Sequence, residues 1–280
     1  MQWNNDRSSA HGLRGVLPKR PWSALLLPLS LLVGLGLGGC GPPDADGDAV
    51  LGADNAIYFV PCHARRVMRL DPRSMEISFI GDDWGSGMFK WAGGVLAPDG
   101  CILCPPCGAS KVLCIDTRAQ TTSLIGSDYA GAGGAKWVAA VLAPDGRVYC
   151  APSDARQFLC IDPASKTTSL VGNDLGGEDR KYARAAIANG RIYCAPFNAR
   201  RVLVFDPADS SCRLIGKELF GTEKYSSAVT GVDGCVYGLP DQARQVIRID
   251  PEAETVEPFG PDGITGDFRG VLVPESGFIY

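Results

Sequence analysis

A chain of 280 residues with 45% hydrophobic and 21% charged residues has the composition of a folded globular protein, and 35 Gly with 20 Pro mark many turns. Twenty-seven basic against 31 acidic residues leave a net charge of -4, too weak a field to recruit nucleic acid or an anionic membrane surface. The two histidines, His11 and His63, argue against a histidine-centred triad or a multi-histidine metal site.

In chain order the first feature is a leader. Arg14, Lys19 and Arg20 precede an apolar run from Ala24 to Leu37, too short to span a bilayer comfortably, and small residues follow up to Cys40. Residues 1–40 are expected to be a signal or anchor segment, although the stretch before the apolar run is longer than an ordinary signal needs. Leu37-Gly38-Gly39-Cys40 resembles the lipobox of bacterial lipoproteins, which implies lipidation at Cys40. A plain secretory signal or an uncleaved anchor is the alternative. Residues 41–49, rich in Pro, Gly and Asp, read as a tether. The expected location is outside the cytoplasm, membrane-anchored or secreted.

From residue 50 to 280 one phrase returns. KWAGGVLAPDGCILCPPCGASKVLCIDTRAQTTSLIG starts at Lys90, KWVAAVLAPDGRVYCAPSDARQFLCIDPASKTTSLVG starts at Lys136, and further copies start at Lys181 and Lys224. The apolar residue after the first turn recurs at Ile57, Ile102, Val148, Ile192, Val236 and Ile279, at separations of 45, 46, 44, 44 and 43. So small a drift means one structural unit repeated.

Turn residues cut each unit into four strands. In the third copy these are Trp137–Ala143, Arg147–Ala151, Gln157–Ile161 and Thr167–Val171, separated by Pro144-Asp145-Gly146, by Pro152 to Ala155 and by Asp162-Pro163. No copy carries a helical period, so the sheets must bury their faces on one another. The predicted fold is all-β: a β-propeller of four-stranded antiparallel blades near 50–82, 90–126, 136–172, 181–216 and 224–260, with a partial blade at 267–280. About 5.5 blades are present, an incomplete ring, which leads to the expectation of a longer product.

The pattern DG-x-[IV]-Y, then Pro, then [VF]-[LIM]-x-[ILF]-D-P resembles the broad propeller group that includes NHL-type and SMP-30/lactonase-like proteins. The resemblance implies the architecture. Its lactonase-like members bind calcium through acidic and amide residues in the central channel. Here the innermost strands read AGGVL, VAAVL, ARAAI, SSAVT and RGVLV, with Arg184 and Arg269 as their charged residues and no carboxylate, Asn or His. That departs from the lactonase pattern.

Cys101-x-x-Cys104-x-x-Cys107 followed by Cys114 suggests a metal site at first sight, but Cys104 shares its repeat position with Cys150 and Cys194, and Cys114 shares that of Cys160. Buried apolar use is the better reading, so neither metal nor cofactor is expected. Cys104 with Cys114, and Cys150 with Cys160, flank one turn and are disulfide candidates across a hairpin. Lys90-Trp91, Lys136-Trp137, Lys181-Tyr182 and Lys224-Tyr225 open the first strands, and Arg65, Arg156, Arg200 and Arg244 stand at the second turn. Both series fall on one face of a propeller. They either hold blades together, with carboxylates at Asp83, Asp128, Asp174, Glu218 and Asp262 as partners, or form a ligand face for an anionic or sugar-bearing molecule.

The functional expectation is a non-catalytic propeller that binds a protein or a small polar or anionic ligand. It would take no nucleic acid and meet a membrane through the N-terminal segment alone. A propeller hydrolase or lyase of lactonase-like character, and a scaffold that self-associates through its open edge, are the alternatives.

Overall fold

Turn chemistry sets the strands. The aspartates at Asp71, Asp116, Asp162, Asp206 and Asp250 each accept a backbone amide two residues ahead at 2.9–3.0 Å, closing the turn between third and fourth strands. These bonds favour the charged carboxylate and hold Asp71 and Asp250 below the usual carboxylate range. The same turns end on a residue in the left-handed region, at Met75, Gln120, Lys166, Ser210 and Glu254.

The computed structural model describes residues 47–131, 134–264, 266, 272–273 and 278–279. Blade 1 is β1 (Ala49–Leu51), β2 (Ile57–Phe59), β3 (Val67–Asp71) and β4 (Glu76–Ile80). Blade 2 is β5 (Val95–Leu96), β6 (Cys101–Cys104), β7 (Val112–Asp116) and β8 (Thr121–Ile125). Blade 3 is β9 (Val141–Leu142), β10 (Val148–Cys150), β11 (Phe158–Asp162) and β12 (Thr167–Val171). Blade 4 is β13 (Tyr182–Ala188), β14 (Arg191–Pro196), β15 (Val202–Asp206) and β16 (Ser211–Ile215). Blade 5 is β17 (Tyr225–Thr230), β18 (Val236–Pro240), β19 (Val246–Asp250) and β20 (Thr255–Phe259), and β21 (Leu272–Val273) with β22 (Phe278–Ile279) begins a sixth copy. Each four-stranded sheet is paired in chain order, antiparallel throughout, and no helix forms among the described residues.

The expected propeller of four-stranded blades is therefore the fold. The segment 1–40, with His11 and the candidate lipidation residue Cys40, lies outside the described residues. Two first strands are short: that of blade 3 reduces to Val141–Leu142 and that of blade 2 to Val95–Leu96. In blade 2 the equivalent shortening has a visible cause, because the carbonyl of Ala92 is taken by the amide of Asp48 in the neighbouring blade at 2.9 Å.

Blades stack face to face. Leu103 and Cys114 of blade 2 meet Trp137, Val148, Cys150 and Leu159 of blade 3, while Tyr149, Phe158 and Cys160 on the other face of blade 3 meet Ile192, Leu203 and Phe205 of blade 4. Alternation along each strand feeds both interfaces at once. The same alternation removes the expected disulfides. Cys104 is opposite Leu113 and Cys114 is opposite Leu103, and in blade 3 Cys150 is opposite Leu159 and Cys160 is opposite Tyr149. A one-residue offset puts the two thiols of each pair on opposite faces of the sheet, in different interfaces. Burial raises the thiol pKa of Cys104, Cys150 and Cys194, which makes them poor nucleophiles.

Candidate functional site

The first strands β1, β5, β9, β13 and β17 are successive neighbours around a central channel. At one mouth of this channel a chain of backbone hydrogen bonds runs through all five blades. Lys90 N donates to Cys62 O, Cys107 N to Lys90 O, Lys136 N to Cys107 O, Ser153 N to Lys136 O, Lys181 N to Ser153 O, Phe197 N to Lys181 O, Lys224 N to Phe197 O and Asp241 N to Lys224 O, all within 2.8–3.1 Å. The links are lysines that open the first strands and residues that follow the proline of the second turn.

The lysine side chains complete this collar. Lys90, Lys136, Lys181 and Lys224 are buried. The ammonium of Lys90 donates to His63 O and Gly87 O, and that of Lys181 to Asp154 O and Glu178 O. Lys224 donates to Phe197 O at 3.1 Å, Asn198 O at 3.3 Å and Gly221 O at 2.7 Å. Each of these three ties the second turn of the preceding blade to the loop ahead of its own strand. Desolvation lowers the pKa of all four ammonium groups.

The adjacent aromatics are also internal. Trp91 and Trp137 donate their indole N–H to Lys111 O at 2.8 Å and Gln157 O at 3.0 Å, and Tyr182 and Tyr225 are buried with them. The arginines of the second turn lie outside. Arg65, Arg156, Arg200 and Arg244 pair with Asp83, Asp174, Glu218 and Asp262 of their own blades, with every partner exposed by a third or more. Such pairs contribute little to stability. None of these twelve candidate ligand-face residues lines the cavity at the mouth. Their repetition reflects assembly: a buried lysine and a packed ring recur from blade 2 to blade 5, whereas a ligand is met once.

That cavity has a volume of about 600 Å3 and is two-sided. Blades 2 and 3 give it an apolar wall that includes Met88, Phe89, Ala92, Ala135 and Val138, and blades 1, 4 and 5 give Asp48, Arg180, Arg184, Ser226 and Asp241. Arg184 of β13 donates to the Asp48 carboxylate just ahead of β1 at 2.5 Å, with both side chains 30% exposed or less. The channel is tight below them. A Cβ on Gly93 would sit 2.8 Å from both the Asp48 carboxylate and Val138 O, so a glycine is required there. On the rim Phe89 and Arg180 hold φ near +50°, an uncommon conformation for side-chain-bearing residues. Arg180 also pairs with Glu223 at 2.6 Å and lies over the Phe197 ring at 4.6 Å.

The channel thus contains a carboxylate that the sequence pattern did not show. Asp48 precedes the first recognisable copy of the phrase, and its role follows from its bond to Ala92 O. The other missed residues share one signature. Cys62, Cys107, Ser153, Phe197 and Asp241 follow the same proline in successive copies, and this position and the one after it vary between that constant proline and a constant alanine. Variation inside a repeat marked the mouth.

The calcium implied by the lactonase-like resemblance does not fit. Asp48 already carries a guanidinium partner, and among the described residues no three His, Cys, Asp or Glu side chains converge. The Cys101, Cys104, Cys107 series likewise disperses, into the blade 2–3 interface, the blade 1–2 interface and the channel wall respectively.

No protein-family model matches the sequence, and no curated protein is similar to it in sequence. Solved structures are similar in shape. Virginiamycin B lyase from Staphylococcus aureus superposes with a TM-score of 0.62 at 9% identity over 76% of this chain and 69% of that one. The chain is a β-propeller. The extracellular domain of a putative one-component system from B. thetaiotaomicron gives 0.60 at 11% identity over 82% of this chain and 32% of its own. A putative gluconolactonase gives 0.51 at 12% identity over 79% and 80%. At these identities the likeness establishes the fold. It also corrects the reading of the propeller as a non-catalytic binder. The similar structures include lyases and a putative lactonase, which suit the hydrolase or lyase alternative better, and the channel holds a charged pair where the sequence suggested no acid.

Proposed function

We propose that this protein is a propeller enzyme that opens a cyclic ester at the channel mouth. The observation that carries the reading is the Asp48–Arg184 pair on the wall of a cavity whose opposite wall is apolar. Substrate enters with its apolar body against Met88, Phe89 and Val138 and its ester toward blades 4, 5 and 1. Arg184 shifts one hydrogen bond from Asp48 to the ester carbonyl and stabilises the negative charge that develops on that oxygen. The released Asp48 carboxylate acts as general base.

In the elimination form, Asp48 removes a proton from the carbon next to the one that bears the ester oxygen. A carbon–carbon double bond forms as the carbon–oxygen bond breaks, and the carboxylate product recovers the proton. In the hydrolytic form the base deprotonates a water that attacks the carbonyl, and as the tetrahedral adduct collapses the ring acyl–oxygen bond breaks and Asp48 returns the proton to the leaving oxygen. The named activities of the similar lyases and of the putative gluconolactonase support these two outcomes. The leader and the likeness to an extracellular domain support action outside the cytoplasm.

The test is incubation of the purified chain with virginiamycin B and, separately, with gluconolactone, followed by mass spectrometry. Ring opening without mass change denotes elimination, and gain of one water denotes hydrolysis. Asp48→Asn and Arg184→Gln should each lower turnover at least 100-fold, in keeping with removal of a general base or an oxyanion donor. No opening of either compound by the folded chain would overturn the assignment.

A further inference from the structure

Each junction between consecutive blades repeats one contact at its outer edge. The fourth strand ends in a glycine with positive φ, and the next blade places a fourth-strand side chain directly over it. Gly81 is covered by Thr122, Gly126 by Thr168, Gly172 by Cys212 and Gly216 by Val256, so close that a Cβ on the glycine would lie within 2.0–2.8 Å of that residue. Hydrogen bonds reinforce three of them: Thr122 Oγ1 accepts from Asp82 N, Thr168 Oγ1 accepts from Ser127 N, and Cys212 N donates to Asn173 Oδ1, at 2.9–3.2 Å.

Two positions of this series differ. Gly260, at the end of blade 5, has the same positive φ of 80°, but among the described residues nothing lies within 4 Å of where a Cβ would stand. Ile77 of blade 1 is opposite Leu70 as Thr122 is opposite Ile115 and Thr168 is opposite Ile161, so it occupies the covering position. It is 57% exposed, with Phe79 on the same face at 61% and Met75 at 71%. Among the described residues, β22 pairs with β21 alone.

We propose that blades 5 and 1 each carry one half of a further blade junction, Gly260 in blade 5 and Ile77 in blade 1, and that these two halves accept between them a β-hairpin of the repeat's own third-and-fourth-strand pattern. The hairpin places its covering residue on Gly260, seats its terminal glycine beneath Ile77 and pairs along β22. The four established junctions define what fits: a threonine, cysteine or valine over the glycine, and backbone without a side chain under the next blade. The inference rests on the fold and is independent of the proposed reaction.

The test adds to the full chain a synthetic peptide with the sequence of residues 157–173, which contains β11 and β12. Two observables are followed, the thermal midpoint and the mass of the complex. Expected are a one-to-one complex and a midpoint about 3–6 °C higher at peptide concentrations tenfold above the dissociation constant. The same peptide with Thr168→Lys should give neither. Ile77→Lys in the chain, an exposed change that leaves its own melting curve in place, should abolish the rise, and Gly260→Asn should do the same by filling the niche. No rise, an equal rise with the lysine peptide, or a chain that dimerises through Ile77 and ignores the peptide would each overturn the proposal, the last by assigning the surface to a second copy.

Discussion

Replacing Lys224 by methionine separates assembly from ligand contact at the collar. The ammonium has three donors, and three carbonyls, of Phe197, Asn198 and Gly221, receive them. A hydrogen bond from a charged donor contributes about 1.5–3 kcal/mol, so three give at least about 4–5 kcal/mol. Relief of the ammonium's desolvation, visible in its lowered pKa, offsets part of this. A net loss of about 2–4 kcal/mol remains, equivalent to a fall of about 4–16 °C in melting temperature for a domain of this size. Lys224→Arg should recover less than half, because a planar guanidinium cannot direct three donors from one point. Urea denaturation measures the loss, and hydrogen exchange locates it: the amides of Asp241 and Ala243, both bonded to Lys224 O, should exchange faster. A loss under about 0.5 kcal/mol, as for an ordinary surface change, would refute the reasoning and return the lysine to the ligand face.

Trp137→Ala should destabilise by about 3–5 kcal/mol in urea, because the side chain is buried between blades 2 and 3 and away from the cavity. Gly93→Val should abolish ligand occupancy of the mouth, read by loss of ring opening with substrate present, since the new side chain collides with Asp48 and Val138 O. Thiol titration in denaturant should find Cys62, Cys101, Cys104, Cys107, Cys114, Cys150, Cys160, Cys194, Cys212 and Cys235 all reduced. Stability should fall as pH rises above about 9: the buried thiols of Cys104, Cys150 and Cys194 stay protonated in the fold, whereas their unfolded forms ionise near 9.0. Each thiol removes stability as its unfolded form ionises while its folded form does not. The buried lysines act oppositely, gaining stability as pH climbs through their lowered pKa values towards 10.5. Between pH 8 and 10 the denaturation midpoints of Cys150→Ala and Cys194→Ala should lose less than those of the parent chain.

The architecture was legible because each blade needs the same few local devices. Asp162-Pro163 and Pro144-Asp145-Gly146 work through their own backbone, so their sequence is their structure. Register was not. Cys104 and Cys114 flank a turn symmetrically to the eye, yet Cys104 pairs with Leu113, and one residue of offset decides which interface a side chain joins. The role of Lys181 was ambiguous for another reason: its partners are carbonyls of Asp154 and Glu178, and a carbonyl leaves no mark in a residue pattern. Asp48 was invisible because it enters the channel from a stretch whose composition reads as linker.

The collar separates holding from reading. Its bonds run through main-chain atoms and lysine tails, so the side chains of Cys62, Cys107, Ser153, Phe197 and Asp241 can be exchanged while the ring that carries them persists. Those five positions form a compact combinatorial alphabet, one letter per blade. A library randomised there would sample new chemistries while the main-chain links between blades keep the same atoms.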